Sequence, residues 1–482
     1  MNKVLFASFE SLPFIKTGGL ADVVYALPKA LDNKKFEVKV VLPLLKKIKE
    51  KYYDKLTYLD HIYVNSGYIN EEANIYKYIN EGVEYLFIEN DTFFYRDGVY
   101  GYDDDVYRFS FYNVAILEMM IKLNYYPDII HAHDYHTSVI SALCKIRYNA
   151  IDEIRRIKHI LTIHNLAYQG EYDKKVLGDC LAFDYRYYDS GDLRFNDYCN
   201  FMKIGLVYAD QITTVSKSYA NEIQTGEFGC NLDSILRYRK DDLCGIVNGI
   251  DTVSFDPETD KGIHTNYTVK NYKTNKLENK RSLQYRLGLE DRPETLLIGM
   301  VSRLTFQKGA DIFLNALPEI LKHDVQIAIL GTGESKYEYA FKQLENENKG
   351  RFVYYCGYDE ALSHAMYAGL DMLLMPSLFE PCGISQLIAM RYGTLPLVRE
   401  TGGLKDTVEP LNEYANTGRG FSFGPYNAYD LAKVFDYACT QYYDYPERWD
   451  MLIKNAMDYD VSFAKSAREY EDLYRKVLKK WI

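Results

Sequence analysis

The stretch from Asp371 to Arg391, DMLLMPSLFEPCGISQLIAMR, constrains the fold more than any other part of the sequence. Its short apolar run, Met372 to Met375, is closed by Pro376 and is typical of a strand buried on both faces of a parallel sheet. From Gly383 onward, apolar residues recur at spacings of three and four, which predicts an amphipathic helix. The turn between strand and helix should therefore lie at the carboxyl end of a strand, where open α/β sheets bind ligands.

The turn contains Glu380, a carboxylate with two interpretations. Placed before a helix, it could simply complement the helix dipole, with Pro381 as a first-turn proline. Placed at a ligand site, it would face a substrate. Because motifs on a common fold do not fix function, the choice between these interpretations depends on other stretches of the chain.

Strands alternate with helical patterns in both halves of the chain, which is the βαβ order of a parallel sheet. The strands predicted in the first half are Lys3 to Ser8, Val38 to Leu42, Tyr85 to Ile88, Asp128 to His131, His159 to Ile163 and Gln211 to Val215. Those predicted in the second half are Leu296 to Val301, Val325 to Leu330, Phe352 to Tyr355, Met372 to Met375 and Leu395 to Val398. A chain of 482 residues is too long for one core, so two domains are expected.

A polar stretch rich in Asn, Thr and Lys separates the two series of strands. It follows the segment Gly245 to Asp251 and extends to about Arg281, and we expect the domain boundary near Cys244 to Pro257. At the C terminus, apolar residues recur every three or four positions and predict a long amphipathic helix: Phe463, Ala467, Tyr470, Tyr474, Val477 and Trp481. We therefore expect domains over residues 1–244 and 245–461, followed by a helix over residues 462–482.

Charge and cysteine usage argue against several classes of protein. Lys and Arg number 57 and Asp and Glu number 68, and the net charge of -11 disfavours nucleic acid or an acidic membrane as a general partner. Eight cysteines without a CxxC pair are typical of a reduced compartment. The apolar run Val4 to Ala7 is too short for a signal peptide or a membrane span. These features predict a soluble cytoplasmic protein.

A glycine pair follows the first predicted strand. Lys16, Gly18 and Gly19 precede a helix predicted from Leu20 to Leu31. Paired glycines let a ligand approach the backbone, and a lysine beside them adds a point charge for a phosphate. The same TGGLxDxV pattern returns at Thr401 to Val408, as two domains of related build would produce.

Two further predicted strands end in histidine-containing segments, HAHDYH at residues 131–136 and HNLAYQG at residues 164–170. The histidines at 131, 133 and 136 suggest zinc, but structural zinc sites usually bring cysteines or a helical spacing, and a strand end explains the cluster. His164 could equally be a hydrogen-bonded core histidine. The run Asp103 to Asp105 resembles a metal-binding cluster, yet its glycine-containing loop favours a solvated acidic turn.

Arg303 and Lys308 follow the first predicted strand of the second half. On a surface helix they would be ordinary solvated cations. At the carboxyl end of a strand, facing the turn after Pro376, they would form a clamp for an anion.

Six segments in this order resemble the bacterial glycogen and starch synthase family: KTGGLADV at 16–23, HAHDYH at 131–136, TIHNLAYQG at 162–170, GIVNGID at 245–251, VSRLTFQKG at 301–309 and PSLFEPCGISQ at 376–386. The resemblance implies an α/β architecture of the GT-B class, two Rossmann-like domains facing a central cleft. The N-terminal domain would serve the glucan acceptor and part of the donor site, the C-terminal domain would bind the nucleotide-sugar donor, and the last helix would pack back on the N-terminal domain.

The resemblance further implies glucosyl transfer from ADP-glucose to the non-reducing end of an α-1,4-glucan such as glycogen. Configuration at the anomeric carbon would be retained, and neither a metal nor another cofactor would take part. Negative charge develops on the departing ADP, so fixed cations would stabilise the transition state.

The same resemblance implies roles for individual residues. The expected catalytic residues are Glu380, beside the glucose, and His164, near its reacting face. The expected ligands of the donor phosphates are Lys16, Gly18, Gly19, Arg303 and Lys308. The expected sugar-binding residues are Asp134, Asn248, Cys382, Gly383, Ile384 and Ser385. The expected nucleoside-binding residues are Tyr358, which would stack on the adenine, and Asp22.

Two positions depart from the family pattern. Tyr135 stands where the family often has Trp and keeps an aromatic platform, whereas Leu378 stands where an Arg is often found and removes a charge beside the site. The preference for ADP over UDP therefore stays open.

The sequence leaves two classes of alternative. One is a UDP-sugar-dependent or sucrose-forming transferase of the same fold, and the other is a catalytically silent glucan-binding protein. Against the second stand Lys16, Arg303, Lys308 and Glu380, because a binding protein has no need of three cations and a carboxylate at one site.

Overall fold

The structure is a computed structural model that describes residues 1–480, and these form two α/β units. The N-terminal unit comprises residues 1–248 together with residues 463–480, and the C-terminal unit comprises Gly249–Ser462. Each unit has its own hydrophobic core. Among the described helices, none is both long and apolar enough to cross a membrane.

A sheet of nine strands runs through the described part of the N-terminal unit. In spatial order its strands are Leu243–Gly245, Gln211–Thr214, Lys158–Ile163, Ile129–His133, Asn2–Ala7, Phe36–Pro43, Val83–Glu89, Ile69–Asn80 and Thr57–Ser66. The pairs are parallel except for the last two, which are antiparallel. This antiparallel hairpin was not predicted, because its exposed positions interrupt the apolar runs that mark the other strands.

Helices and a small second sheet complete the N-terminal unit. The α-helices are Gly19–Ala30, Lys46–Tyr52, Asp91–Phe94, Asp105–Lys122, Tyr135–Ser138, Ile140–Ala142, Asp152–Arg155, Val176–Asp179, Arg186–Asp189, Phe201–Tyr208, Lys217–Glu222, Asp233–Tyr238 and Phe463–Leu478. The small antiparallel sheet contains Glu171–Asp173, Tyr198–Asn200 and Arg194–Phe195.

The helix Phe463–Leu478 belongs to the N-terminal unit although it follows the C-terminal unit in the chain. Its predicted apolar residues are buried as far as Val477, and Trp481 lies outside the described residues. The Tyr474 hydroxyl shares a 2.8 Å hydrogen bond with Nδ1 of His131. This helix is therefore fixed to the sheet by a polar contact as well as by its apolar stripe.

The described part of the C-terminal unit contains a parallel sheet of six strands. In spatial order these are Phe352–Cys356, Val325–Gly331, Leu296–Val301, Met372–Met375, Leu395–Arg399 and Phe421–Phe423. Numbered along the chain, this is the 3-2-1-4-5-6 order of a doubly wound sheet. The order reverses between Leu296–Val301 and Met372–Met375. A crevice forms beyond the carboxyl ends of strands at such a reversal, and ligands bind there.

The helices of the C-terminal unit include one that sequence analysis missed. They are Tyr272–Leu287, Ala310–Ile320, Ser335–Glu347, Glu360–Gly369, Ser385–Arg391, Gly402–Thr407, Ala428–Asp444 and Pro446–Asp458. The helix that was not predicted is Tyr272–Leu287, which begins inside the polar stretch that extends to about Arg281. Its buried side carries Lys276, whose Nζ donates to the Ala368 carbonyl at 2.9 Å, and Lys280, which pairs with Asp371 at 2.6 Å. Hydrogen-bonded lysines thus occupy buried positions of this helix where apolar residues would be expected.

Candidate active site

The C-terminal cluster, defined as Arg303, Lys308, Ser377 and Glu380, lies at the reversal of the sheet order. Its members follow the two strands that flank this reversal, Leu296–Val301 and Met372–Met375. Nζ of Lys308 donates to Oε2 of Glu380 at 2.5 Å, and the Ser377 hydroxyl donates to the same oxygen at 3.2 Å. Glu380 is only 6% exposed. A buried carboxylate and a cation therefore meet where ligands bind in this fold.

Main-chain contacts hold the two turns of this cluster together. The Leu378 N–H donates to the Gln307 carbonyl at 2.8 Å. Gly309 has a φ of 76°, and a Cβ at this position would lie 2.1 Å from the Pro376 carbonyl oxygen. Only glycine fits such a position. Lys308 and Glu380 are thus held beside each other by their backbones as well as by their ion pair.

The second glycine pair supports the main chain of Glu380. The Gly403 N–H donates to the Glu380 carbonyl at 3.1 Å. Gly402 has a φ of 45°, and a Cβ there would lie 1.9 Å from the same carbonyl oxygen. The repeated glycine pattern therefore has a packing explanation in this unit.

Gln386, which sequence analysis did not single out, holds the segment that contains Cys382, Gly383, Ile384 and Ser385. Its fully buried Nε2 donates to the carbonyls of Cys382 at 3.1 Å and of Gly383 at 2.9 Å. The following helix begins at Ser385 and not at Gly383. Glu380 and Pro381 both precede it by a full turn, so the interpretation of Pro381 as a first-turn proline is wrong.

Arg303 and Tyr358 are accessible at the same edge of the sheet. Within residues 1–480, the exposed guanidinium of Arg303 makes no hydrogen bond or ion pair. Tyr358 is 80% exposed and follows Phe352–Cys356, which is separated from Leu296–Val301 by one strand. The structure thus places Tyr358 on a different loop from the Lys308–Glu380 pair.

In the N-terminal unit, Lys16, Gly18 and Gly19 lie where the strand Asn2–Ala7 leads into the helix Gly19–Ala30. Nζ of Lys16 pairs with Oδ1 of Asp22 at 2.8 Å. A Cβ at Gly18 would meet nothing within 4 Å, so the protein itself does not require glycine there. The space above this backbone is open to a ligand.

Glu10 organises this loop, and no motif pointed to it. Its side chain is buried, and Oε1 accepts hydrogen bonds from the Thr17 hydroxyl at 2.6 Å and the Tyr100 hydroxyl at 2.7 Å. The backbone N–H of Thr17 also donates to this carboxylate. The signal in the sequence is a charged residue three positions after a buried strand.

Asp134 and His164 directly follow the neighbouring strands Ile129–His133 and Lys158–Ile163. Oδ1 of Asp134 accepts a hydrogen bond from the His164 backbone N–H at 2.7 Å. Burial raises the pKa of Asp134 to about 7 and lowers the pKa of His164 to about 3. The His164 imidazole is therefore neutral near pH 7. Asn248 is also buried, and its Oδ1 has no hydrogen-bond partner in the part of the chain that the structure describes.

The three histidines that suggest zinc are instead packed as neutral rings. His131 bonds to Tyr474 through Nδ1 and to the Thr162 hydroxyl through Nε2 at 2.6 Å. The rings of His131 and His133 stack with centroids 4.3 Å apart, and His136 stacks on Tyr100 at 4.5 Å. Burial lowers the pKa of His131 and of His136 to about 3.

The acidic run is not a fully solvated turn. Asp105 is buried and pairs with Arg108, which is fully buried. Oδ2 of Asp105 accepts from the Gly101 N–H at 2.8 Å. The interpretation as a solvated acidic turn is therefore wrong for Asp105, because Arg108, one helical turn further along the chain, neutralises its charge inside the fold.

Replacing His159 with glutamine is expected to reduce the acid sensitivity of the N-terminal unit. Burial lowers the pKa of His159 to about 4, below its unfolded value of about 6.5. The unfolded chain therefore takes up a proton as pH falls through 6.5, and the stability present above that pH is lost. Between pH 7.5 and pH 5.5 the free energy of unfolding of His159→Gln should therefore fall by about 1 kcal/mol less than that of the native protein. Urea denaturation at both pH values measures this difference, and an equal effect of the substitution at both would contradict it.

Comparison with known proteins places the chain in a family. Residues 3–238 match the model described as starch synthase catalytic domain, and residues 286–457 match the model described as glycosyl transferases group 1. A glycogen synthase of Streptococcus sanguinis is 44% identical, with 99% of this chain and 100% of that protein covered. One of Clostridium botulinum is 45% identical, with 98% and 99% covered. The chain belongs to the glycogen and starch synthase family.

Solved structures agree with membership of the glycogen and starch synthase family. The catalytic domain of starch synthase IV from Arabidopsis thaliana, bound to ADP and acarbose, matches with a TM-score of 0.90 and 33% identity, covering 99% of each chain. A sucrose-phosphate synthase of Thermosynechococcus elongatus has a TM-score of 0.60 and 15% identity, which shows the fold alone. The predicted GT-B class and glycosyltransferase activity are confirmed, and the protein has the glycogen synthase function of its family.

Proposed function

We propose that this glycosyltransferase moves glucose from ADP-glucose to the non-reducing end of an α-1,4-glucan and retains the configuration of the anomeric carbon. The observation that carries the proposal is the contact of Lys308 with Glu380 at the reversal of the sheet order. During transfer the departing ADP gains negative charge and the glucose ring gains positive charge. A cation and a carboxylate side by side complement both charges.

The C-terminal unit supplies the donor site in this proposal. Lys308 and the accessible Arg303 bind the diphosphate, and Glu380 lies beside the glucose. The segment from Cys382 to Ser385 offers backbone and hydroxyl groups to the sugar, and Tyr358 stacks on the adenine. The presence of ADP in the solved starch synthase IV structure supports an adenine nucleotide.

The N-terminal unit is assigned the glucan acceptor and a further share of the donor. Lys16 and the backbone of Gly18 and Gly19 bind phosphate, because a helix of 12 residues starts there and the first turn of a helix favours an anion. Asp134, His164 and Asn248 bind the sugar, and Asp22 is assigned to the nucleoside. No metal or other cofactor is part of the proposal, since the cations of the chain neutralise the leaving phosphate.

No residue is assigned as a general base. In a retaining transfer of this kind the leaving phosphate takes the proton of the acceptor hydroxyl, so the protein has to position the two substrates and stabilise charge. The neutral His164 is consistent with a role in positioning.

The test measures ADP and UDP release from ADP-glucose and UDP-glucose, each with glycogen as acceptor. ADP release at least tenfold faster than UDP release is expected. NMR of the first product with a short maltooligosaccharide should show a new α-1,4 bond at the non-reducing end. Release of UDP alone would overturn the assignment of ADP-glucose as the donor. A β linkage in the product would show that the configuration of the anomeric carbon is not retained. No release from either sugar nucleotide would overturn the proposal as a whole.

A further inference from the structure

A hydrogen bond between two histidines controls which nitrogen of His164 carries its proton. Nδ1 of His133 and Nε2 of His164 are 3.0 Å apart. Burial lowers the pKa of both rings well below the ordinary value, so both are neutral near pH 7. A neutral imidazole has one N–H and one bare nitrogen. One of the two rings therefore donates in this contact and the other accepts.

The second nitrogen of His133 decides between the two arrangements. Nε2 of His133 is buried, and within residues 1–480 it has no hydrogen-bond partner. The ring stacks on Phe6 with centroids 5.3 Å apart and on His131 at 4.3 Å, so its surroundings are aromatic. If His164 donated, His133 would carry its proton on Nε2 and bury an N–H that has no acceptor.

The opposite arrangement avoids an orphaned donor. If His133 donates from Nδ1, its Nε2 is a bare nitrogen that faces aromatic rings. Buried N–H groups without acceptors are rarer in folded proteins than acceptors that lack a donor, because each such N–H loses a strong hydrogen bond to water. His164 then accepts through Nε2 and must carry its own proton on Nδ1.

We propose that His133 is a positioning residue that holds His164 as the Nδ1–H tautomer, so that His164 offers a hydrogen-bond donor to a hydroxyl of the sugar. Nδ1 of His164 makes no hydrogen bond in the described part of the chain, and the ring is partly exposed. His133 is fully buried and acts through His164. The role of His164 at the sugar rests on the proposed function, whereas its tautomer does not.

Nitrogen NMR of the full-length protein labelled with ¹⁵N-histidine tests the tautomer without any substrate. The signals of His164 are assigned by their loss in His164→Gln. We expect the two-bond correlations of an Nδ1–H imidazole for His164. Correlations of an Nε2–H imidazole, or of an even mixture, would overturn the proposal. Because this readout needs no activity, it separates a failure of the tautomer from a failure of the transferase assignment.

Two substitutions of His133 separate tautomer control from packing. His133→Phe keeps a flat ring between Phe6 and His131 but has no N–H. His133→Asn loses the ring but keeps an amide N–H near the position of Nδ1. We expect kcat/KM for the sugar nucleotide to fall about tenfold in His133→Phe, the size of one hydrogen bond, and to stay within about threefold in His133→Asn.

The melting temperatures should rank in the opposite order, with His133→Phe above His133→Asn, because stacking contributes to stability. His133→Asn should also retain the Nδ1–H pattern of His164, and His133→Phe should lose it. A His133→Phe enzyme more active than His133→Asn would show that His133 matters through packing, and would overturn the proposal.

Discussion

Glu380→Gln is expected to lower kcat about 10³-fold and to change KM for the sugar nucleotide by less than about threefold. Glutamine has nearly the same shape and can still accept a hydrogen bond from Lys308 through its amide oxygen. It carries no negative charge, however, so it cannot stabilise the positive charge that develops on the glucose ring. A loss confined to kcat is the signature of an interaction made only in the transition state. Steady-state kinetics of nucleoside diphosphate release measure it.

The matched control is Glu319→Gln. Glu319 also pairs with a lysine, Lys322 at 2.6 Å, but both side chains are exposed. This substitution should leave kcat within about twofold, because exposed ion pairs contribute little. Retention of more than a tenth of the native kcat by Glu380→Gln would show that the carboxylate is not part of the reaction.

Lys308→Met is expected to lower kcat/KM about 10²- to 10³-fold, since it removes a cation aimed at the departing phosphate. It should also destabilise the C-terminal unit by about 2 kcal/mol, because Glu380 is left buried without its partner. Lys308→Arg keeps the charge but changes its shape and reach, so an intermediate loss is expected. Kinetics and urea denaturation of each variant provide the two readouts.

Lys322→Met is the control for Lys308→Met, since it removes the cation of the exposed pair with Glu319. The double variant Lys308→Met with Glu380→Gln should be more stable than Lys308→Met, because a neutral glutamine is cheaper to bury than an unpaired carboxylate. Additive effects on stability would mean that the two side chains do not interact. Native activity in Lys308→Met would contradict the assignment of this lysine to the phosphate site.

Most of the buried strands could be predicted, because they are marked by local runs of apolar residues. Met372–Met375 is an example, since both of its faces are covered and four consecutive apolar residues result. The helix Phe463–Leu478 could also be predicted, because the 3.6-residue period of a helix places Phe463, Tyr470 and Val477 on one stripe. In both cases the signal lies within one element.

Residues with distant partners could not be predicted in this way. Glu10 and Gln386 act through hydrogen bonds to loops, and each looks ordinary beside its neighbours in the chain. The helix Tyr272–Leu287 was not predicted for the same reason, because Lys276 and Lys280 are buried through contacts with distant carbonyls and with Asp371. Asp105 was missed as well, since Arg108 neutralises it inside the fold.

The amino-acid sequence alone determined the α/β class, the two series of strands and the residue types at the strand ends, because these depend on backbone periods that span only a few residues. Only the tertiary structure decided that Lys308 meets Glu380, 72 positions away along the chain. That contact exists because the first and fourth strands of the C-terminal unit are neighbours in the sheet, and strand order arises from the packing of the whole unit rather than from any local pattern.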